Sequence, residues 1–124
     1  MATVATRESG QAAVEFAMAL PILVVIVLAI VQIGITMRNE LAVELAAREG
    51  ARAASVAVDA GAAASAAAQG VVELPIEVAT ASGGADGAVT VTVTYVDPTD
   101  IAIIGRFIGP VSHRASVTMS LEPP

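Results

Sequence analysis

The chain has 124 residues, a net charge of −6, and hydrophobic residues at 56% of positions but aromatic ones at only 2%. This length predicts one small domain with appended segments, and the alanine- and valine-rich composition offers little bulky packing volume. Cysteine is absent, which excludes a disulfide framework, a thiol nucleophile and a thiolate metal site. Twelve acidic residues against six arginines, with no lysine, argue against nucleic acid as a partner.

The first element is an apolar run, AMALPILVVIVLAIVQIGITM, which covers 21 residues from 17 to 37 without an ionisable group. As a helix it measures about 31 Å, close to the roughly 30 Å hydrocarbon core of a bilayer. A buried core helix is the alternative, but the remaining residues are too few and too small to surround such a rod. The run therefore predicts a transmembrane helix.

A secretory signal peptide is a second alternative for this run. Its apolar region spans only about 7 to 15 residues and precedes a small-residue cleavage site. Here the run is longer, and the small residues Ala51 and Ala53 come well after it. We therefore expect the segment to be retained.

The charges that flank the apolar run bear on its orientation in the membrane. Arg7 lies before the run, and Arg38, Arg48 and Arg52 lie after it, so the positive-inside count favours a cytoplasmic C-terminal side.

Beyond the apolar run, residues 39–58 read as helix, with Leu41, Leu45 and Arg48 on one face. Asn39 either breaks the chain before this helix or lies inside one continuous rod. Gly50 weakens a helix by about 1 kcal/mol relative to alanine but allows a neighbouring backbone to approach. An alanine-rich stretch, residues 60–70, predicts a second short helix that ends near Gly70.

The final part of the chain has the alternation of β-strands. In residues 71–80 Pro75 marks an edge strand or a bulge, and residues 88–96 place Val89, Val91, Val93 and Tyr95 on one face. A glycine-rich turn separates them at 82–87. Residues 101–110 are an apolar loop or short helix with Phe107, and residues 115–121 alternate again, with Ala115, Val117, Met119 and Leu121 on one face.

These elements predict an α+β fold. A long N-terminal transmembrane helix continues into an amphipathic helix, and a small antiparallel sheet of about three strands follows. We expect one face of the sheet to pack on the helix at 41–58.

Few residues are candidates for chemistry. His113 is the one histidine and has no histidine or cysteine partner, which favours a surface or strand-start position. Asp97 and Asp100 are too few ligands for Ca²⁺ and are interpreted as turn-capping residues. Gly105 and Gly109 lack the lysine and the strand–loop–helix context of a phosphate loop. The sequence therefore predicts no enzyme, no cofactor and no metal site.

Glu15 is unusual because a carboxylate stands directly before the apolar run. The stretch GQAAVEF, residues 10–16, followed by that run, resembles the processing site of type IV pilin-like proteins. The downstream AAREGARAAS, residues 46–55, is similar to the TadE-like minor pilins or pseudopilins of the tight-adherence (Tad/Flp) branch, and Glu15–Phe16 stands where Flp-type pilins often have Glu-Tyr. The resemblance is rich in motifs over about residues 9–55 and loose afterwards.

The resemblance implies cleavage after Gly10 by a prepilin peptidase. Gln11 then carries the new ammonium, and Glu15, the fifth residue of the mature chain, compensates that charge one helical turn away. Phe16 completes the implied processing site. The implied segments are a leader at 1–10, a transmembrane helix at 11–37, a helical extension at 38–70 and an extracytoplasmic β-rich domain at 71–124.

The implied partners are the prepilin peptidase, other pilins or pseudopilins, the Tad inner-membrane assembly machinery and membrane lipid. The implied location is the cytoplasmic membrane, as a single-pass protein that enters a pilus or stays in the membrane. Major Flp-type pilins are little more than the helix, so the long C-terminal part indicates a minor subunit. The alternative is an unprocessed single-pass protein with a small extracytoplasmic binding domain.

The implied orientation, with a cytoplasmic N-terminus, opposes the arginine count. The motif carries more weight, since a leader cut on the cytoplasmic side sets the orientation. Pairing of Arg38, Arg48 and Arg52 with Glu40, Glu44 and Glu49 is expected to cancel much of the arginine bias.

Overall fold

The computed structural model describes residues 2–83 and 86–122, with side chains from Arg7 onward. Its elements follow one another as helix α1 (Ala2–Val56), helix α2 (Ala60–Val71), strand β1 (Glu77–Ser82), strand β2 (Ala88–Asp97), helix α3 (Ile104–Ile108) and strand β3 (Val111–Ser120). The predicted α+β fold, a long N-terminal apolar helix followed by further helices and an antiparallel sheet, is confirmed. Gly84 and Ala85 of the predicted 82–87 turn lie outside the described residues.

Helix α1 is one continuous rod of 55 residues. Asn39 lies inside it, so the alternative of a break at this residue is wrong. Between Val14 and Val27 the large apolar side chains are exposed around the whole circumference, so this part of α1 is not covered by the described remainder of the chain. An all-round apolar surface is typical of a helix surrounded by lipid or by other helices.

The last third of α1 has a different surface, a stripe of small residues that faces the rest of the fold. Its members are buried at an exposed fraction of 1% or less: Val43, Ala46, Ala47, Ala51 and Ala54. They recur at spacings of three and four, which places them on one helix face. We call them the small-residue stripe. Because these side chains are short, both α2 and the sheet lie close to the α1 backbone.

Helix α2 packs along this stripe through Ala64 and Ala68, both buried. Its start is capped by Asp59, whose Oδ1 accepts a hydrogen bond from the Ala62 N–H at 3.0 Å. Such a cap satisfies one of the backbone donors left free in the first turn. The predicted end near Gly70 is confirmed, since α2 ends at Val71.

The sheet has three antiparallel strands in the order β1-β2-β3. The alternation predicted for β2 is confirmed, because Val89, Val91, Val93 and Tyr95 face the core, where they form one buried cluster with the small-residue stripe. On the outer face, hydroxyl pairs link β2 to β3, Thr90 with Thr118 and Thr92 with Ser116, each at 2.8 Å. The prediction that one sheet face packs on the C-terminal part of α1 therefore holds.

Two strand boundaries differ from the predicted ones. β1 begins at Glu77 and not at Val71, because the helical turn of α2 extends to Val71 and Pro75 precedes the strand. β1 does lie at an edge of the sheet, as Pro75 indicated. β3 begins at Val111, four residues before the predicted start, because its pairing with β2 continues to Asp97.

Gly50 is a point of close approach between α1 and two of its neighbours. A Cβ placed on Gly50 would lie 3.1 Å from Cγ1 of Val91 and 3.2 Å from the carbonyl oxygen of Ala64. A strand side chain and a helix backbone therefore meet the same position of α1. The predicted close approach of a neighbouring backbone at Gly50 is confirmed.

Gly50→Leu is expected to lower the free energy of unfolding by about 1–3 kcal/mol, because the new side chain must push α2 or β2 away from α1. Gly70→Ala is the control, since a Cβ on Gly70 meets nothing within 4 Å. The control is expected to raise stability by about 0.5–1 kcal/mol through helix propensity. Chemical unfolding in detergent, followed by circular dichroism, measures both. Wild-type stability of Gly50→Leu would contradict the packing described.

Candidate functional site

The predicted processing residues lie on one uninterrupted stretch of α1. Gly10, Gln11, Glu15 and Phe16 are all exposed helical residues. Gln11 and Glu15 share a face, and the Gln11 side-chain amide donates a hydrogen bond to Oε1 of Glu15 at 3.3 Å. The spacing predicted from the sequence, one helical turn between these two residues, is therefore present in the uncut chain. Cleavage at this position remains a prediction.

No contact among the described residues requires glycine at position 10. A Cβ on Gly10 would meet nothing within 4 Å. Glycine inside a helix destabilises it by about 0.5–1 kcal/mol relative to alanine. The isolated fold thus gains nothing from Gly10, in contrast to Gly50, whose position admits no side chain without displacement of a neighbour.

Glu15 forms no ion pair with any side chain that the structure describes. The pairs found there lie farther along the chain: Glu44 with Arg48, Glu49 with Arg52 at 3.9 Å, and Glu40 with His113 at 3.5 Å. Two of the expected arginine–glutamate pairs are thus present. Glu40 faces His113 and not Arg38, because β3 brings the histidine to that side of α1.

A buried polar contact ties α1 to the end of the sheet. The Asn39 side-chain amide donates to Oδ2 of Asp97 at 2.8 Å, and the Thr99 N–H donates to Oδ1 of the same carboxylate at 2.9 Å. The second bond is the turn-capping role predicted for Asp97. The first joins residues 58 positions apart and had no sequence signal. Together they hold the end of β2 against α1 at Asn39.

His113 is buried, with 3% of its surface exposed, so of the two expected positions the surface one is wrong and the one near the start of a strand is right. It is the third residue of β3 and points inward, and its ring stacks on Tyr95 with centroids 6.2 Å apart. Nδ1 lies 3.5 Å from Oε2 of Glu40, and Nε2 has no hydrogen-bond partner among the described residues. Extending the alternation of β3 back from Ala115 would have predicted this inward position.

A cleft of about 240 Å³ lies between α1 and β3 beside this histidine. Its polar lining comes from Glu40, Glu44, His113, Arg114 and Ser116. Two of these groups are engaged elsewhere, Glu44 with Arg48 and Ser116 with Thr92 across the sheet. Among the described residues no group of three or more histidine, cysteine or acidic side chains could hold a metal ion. The polar contacts of this cleft hold α1 against β3.

Burial raises the pKa of the Tyr95 phenol above its ordinary 10.0, and the negative charges of Asp97 and Asp100 raise it further. Each of these causes disfavours the phenolate in the folded protein. Tyr95 is the chain's one tyrosine, and tryptophan is absent. Its absorbance and fluorescence therefore report on this single site.

Because the folded pKa is higher, the folded protein holds the phenolic proton more tightly than the unfolded chain does. The stabilisation of the folded state that follows from this pKa difference is fully present below the unfolded pKa of about 10.0, and it is lost as the pH rises through the folded pKa. We expect tyrosinate absorbance to appear at higher pH in the folded protein than in denaturant. Tyr95→Phe should weaken the alkaline loss of stability. Identical titrations in both states would contradict the assignment.

Among the described residues one helix, the part of α1 from Arg7 to Val56, is long and apolar enough to cross a membrane. Its apolar stretch of 18 residues is only 6% buried. It is a candidate membrane anchor by length and composition. The exposure of this apolar stretch distinguishes α1 from the core helix of a soluble protein, whose apolar surface is covered by the rest of the fold.

The family comparison covers the same helix. Residues 10–52, about a third of the chain, match the family described as TadE-like protein. The match runs from Gly10 through the apolar run to Arg52, in the part of α1 that carries the small-residue stripe. No curated protein and no solved structure matches the chain. The match begins at Gly10, the predicted cleavage residue, and includes Gly50. It therefore covers both the exposed apolar part of α1 and the part that packs on α2 and the sheet. Residues 10–52 of the chain are thus similar to the TadE-like family, and this similarity suggests a protein associated with the tight-adherence pilus.

Proposed function

We propose that this protein is a minor pilin or pseudopilin that takes part in assembly of a Tad/Flp-type pilus. In this proposal a prepilin peptidase cuts after Gly10, and residues 11–37 span the cytoplasmic membrane. The new N-terminus lies at the cytoplasmic face and residues 38–124 lie outside. The role is structural and not catalytic: the mature helix packs laterally against the helices of other pilin subunits, and Tad membrane machinery assembles them.

The observation that carries the proposal is Gly10. Glycine at this exposed helical position weakens the helix, and no contact among the described residues requires it. A peptidase that reads this position supplies a reason for it. A helix must also open before its backbone can enter a protease active site, and glycine makes that opening easier.

Glu15 supports the same proposal through its charge. A carboxylate at the edge of a membrane span is unfavourable unless a positive group lies near it. Cutting after Gly10 creates an ammonium on Gln11, whose side chain already lies within hydrogen-bonding distance of Glu15. In a bundle of helices the ammonium of the same or a neighbouring subunit compensates this carboxylate.

The folded C-terminal part supports a minor subunit over the bulk filament protein. From Asn39 onward α1 carries α2 and the sheet on its small-residue stripe. A subunit with this added volume packs less densely than a bare helix and presents an extra surface. Such a subunit suits initiation of the pilus or decoration of its tip.

Cleavage is tested by co-expression of the full chain with a prepilin peptidase and measurement of the intact mass. We expect loss of residues 1–10 from the wild type and retention of them in Gly10→Glu. Ser9→Glu is the matched control, because it adds the same charge next to the glycine and should still be cut. A chain that keeps residues 1–10 would instead support the unprocessed single-pass protein. Normal trimming of Gly10→Glu would also reject the proposal.

Glu15→Gln is expected to leave cleavage intact and to weaken association of the mature subunits by about tenfold or more, since the ammonium loses its counter-charge. Energy transfer between subunits in vesicles measures this. The chain has no cysteine, so Val58→Cys at a 99% exposed position allows specific labelling. Glu8→Gln is the control, because Glu8 leaves with the leader. Equal association of Glu15→Gln and wild type would contradict the charge pairing.

A further inference from the structure

The connection between β2 and β3, residues 98–110, presents apolar side chains outward. Phe107 is 85% exposed, Ile108 54% and Ile103 48%, although Ile104 between them is buried. The three outward side chains are large and lie within six residues of one another in the sequence. A cluster of this kind marks a surface that contacts an apolar partner.

The topology places this connection beside the apolar part of α1. Val91 of β2 lies at Gly50, and Asp97 at the end of β2 bonds to Asn39, so β2 runs antiparallel to α1. β3 begins at Val111, directly opposite Asp97. The connection therefore leaves the sheet at the level of Asn39 and extends toward the N-terminal half of α1.

Burial along α1 shows how far the connection reaches. α3, which lies within it, contacts α1. Gln32, two turns before Asn39 on the same face, is buried with 4% of its surface exposed, although its neighbours Val31 and Ile33 are exposed. The strands end at Asn39, so we assign this cover to the connection. Gln32 lies about 8 Å before Met37, the end of the apolar run, along the helix axis.

We propose that residues 98–110 insert into the outer boundary between headgroups and acyl chains of the phospholipid bilayer. The insertion rests on the proposed transmembrane span at 11–37. Phe107, Ile103 and Ile108 contact lipid, and the connection shields Gln32 from it. The occupant is lipid because α3, which carries Phe107 and Ile108, contacts α1, and the apolar side chains of α1 before Asn39 are themselves exposed, Ile33 at 60% and Met37 at 64%.

Arg106 fits the same position. It is exposed and belongs to none of the ion pairs among the described residues. An arginine at this depth extends its guanidinium to the lipid phosphates while its methylene groups stay in the apolar region. Short apolar segments that lie in this boundary enter by about 5–10 Å, which agrees with the level of Gln32.

The backbone of the connection suits the boundary and not the bilayer centre. Part of it is satisfied internally, by Gly105 N–H to the Ile101 carbonyl at 2.9 Å and Gly109 N–H to the Gly105 carbonyl at 3.2 Å. Gly105 makes this compact turn possible, because a Cβ there would collide with the Thr99 carbonyl oxygen. The remaining polar groups of an irregular segment need water or headgroups, which the boundary supplies.

Depth measurements in vesicles test the insertion. The full chain has no tryptophan, so single-tryptophan variants report one position each. Phe107→Trp and Ile108→Trp probe the connection, Ile26→Trp probes the span, and Val58→Trp is the water-exposed control. Each is reconstituted in phosphatidylcholine vesicles with or without brominated acyl chains, and its quenching by those lipids and by aqueous iodide is compared. Matching circular dichroism spectra identify the variants that fold.

We expect brominated lipid to quench the tryptophans at 107 and 108 severalfold more than the one at 58, and iodide to do the reverse. Quenching by lipid at 26 but not at 107 or 108 overturns the insertion and leaves the span standing. Absence of lipid quenching at 26 overturns both. Protection from iodide that grows with protein density, without lipid quenching, assigns the surface to a neighbouring copy and also overturns the insertion.

Discussion

The close packing of α2 and the sheet on the small-residue stripe of α1 is the contact on which the folded part of the protein depends. The interior contains few large side chains, so stability comes from short distances between backbones and not from bulky apolar volume. Gly50 and the buried alanines keep those distances short. A carbon atom added at Gly50 displaces a neighbouring element, because Cγ1 of Val91 and the carbonyl oxygen of Ala64 already lie 3.1 and 3.2 Å from the place of a Cβ.

The rest of the architecture follows from where the stripe stops. The contact between α1 and the sheet extends as far as Asn39, which is hydrogen-bonded to Asp97 at the end of β2. Toward the C-terminus α1 is a scaffold for a small domain, and toward the N-terminus it is a rod with an exposed apolar surface. One continuous helix thus serves two environments, and the connection between β2 and β3 lies at the change from one to the other.

The two halves of the TadE-like segment have different physical explanations. The downstream half, with Ala46, Ala47 and Gly50, is explained by contacts within the chain. The upstream half is not, because Gly10 and Glu15 are exposed and, among the described residues, Glu15 contacts only Gln11 one helical turn away, while a Cβ on Gly10 would contact nothing. Residues that the isolated chain does not require are the ones that an external partner must explain, which is why the proposed peptidase and subunit contacts concern the upstream half.

The sequence by itself determined the elements whose signal is local. The apolar run, the valine–threonine alternation of β2 and the need for close approach at Gly50 follow from periodicity and side-chain size, and the one-turn spacing of Gln11 and Glu15 follows from helix geometry. Strand register, the contact of His113 with Glu40 and the bond between Asn39 and Asp97 were decided only by the tertiary structure. They join residues far apart in the chain, and no local pattern encodes which distant partner a buried polar group will meet.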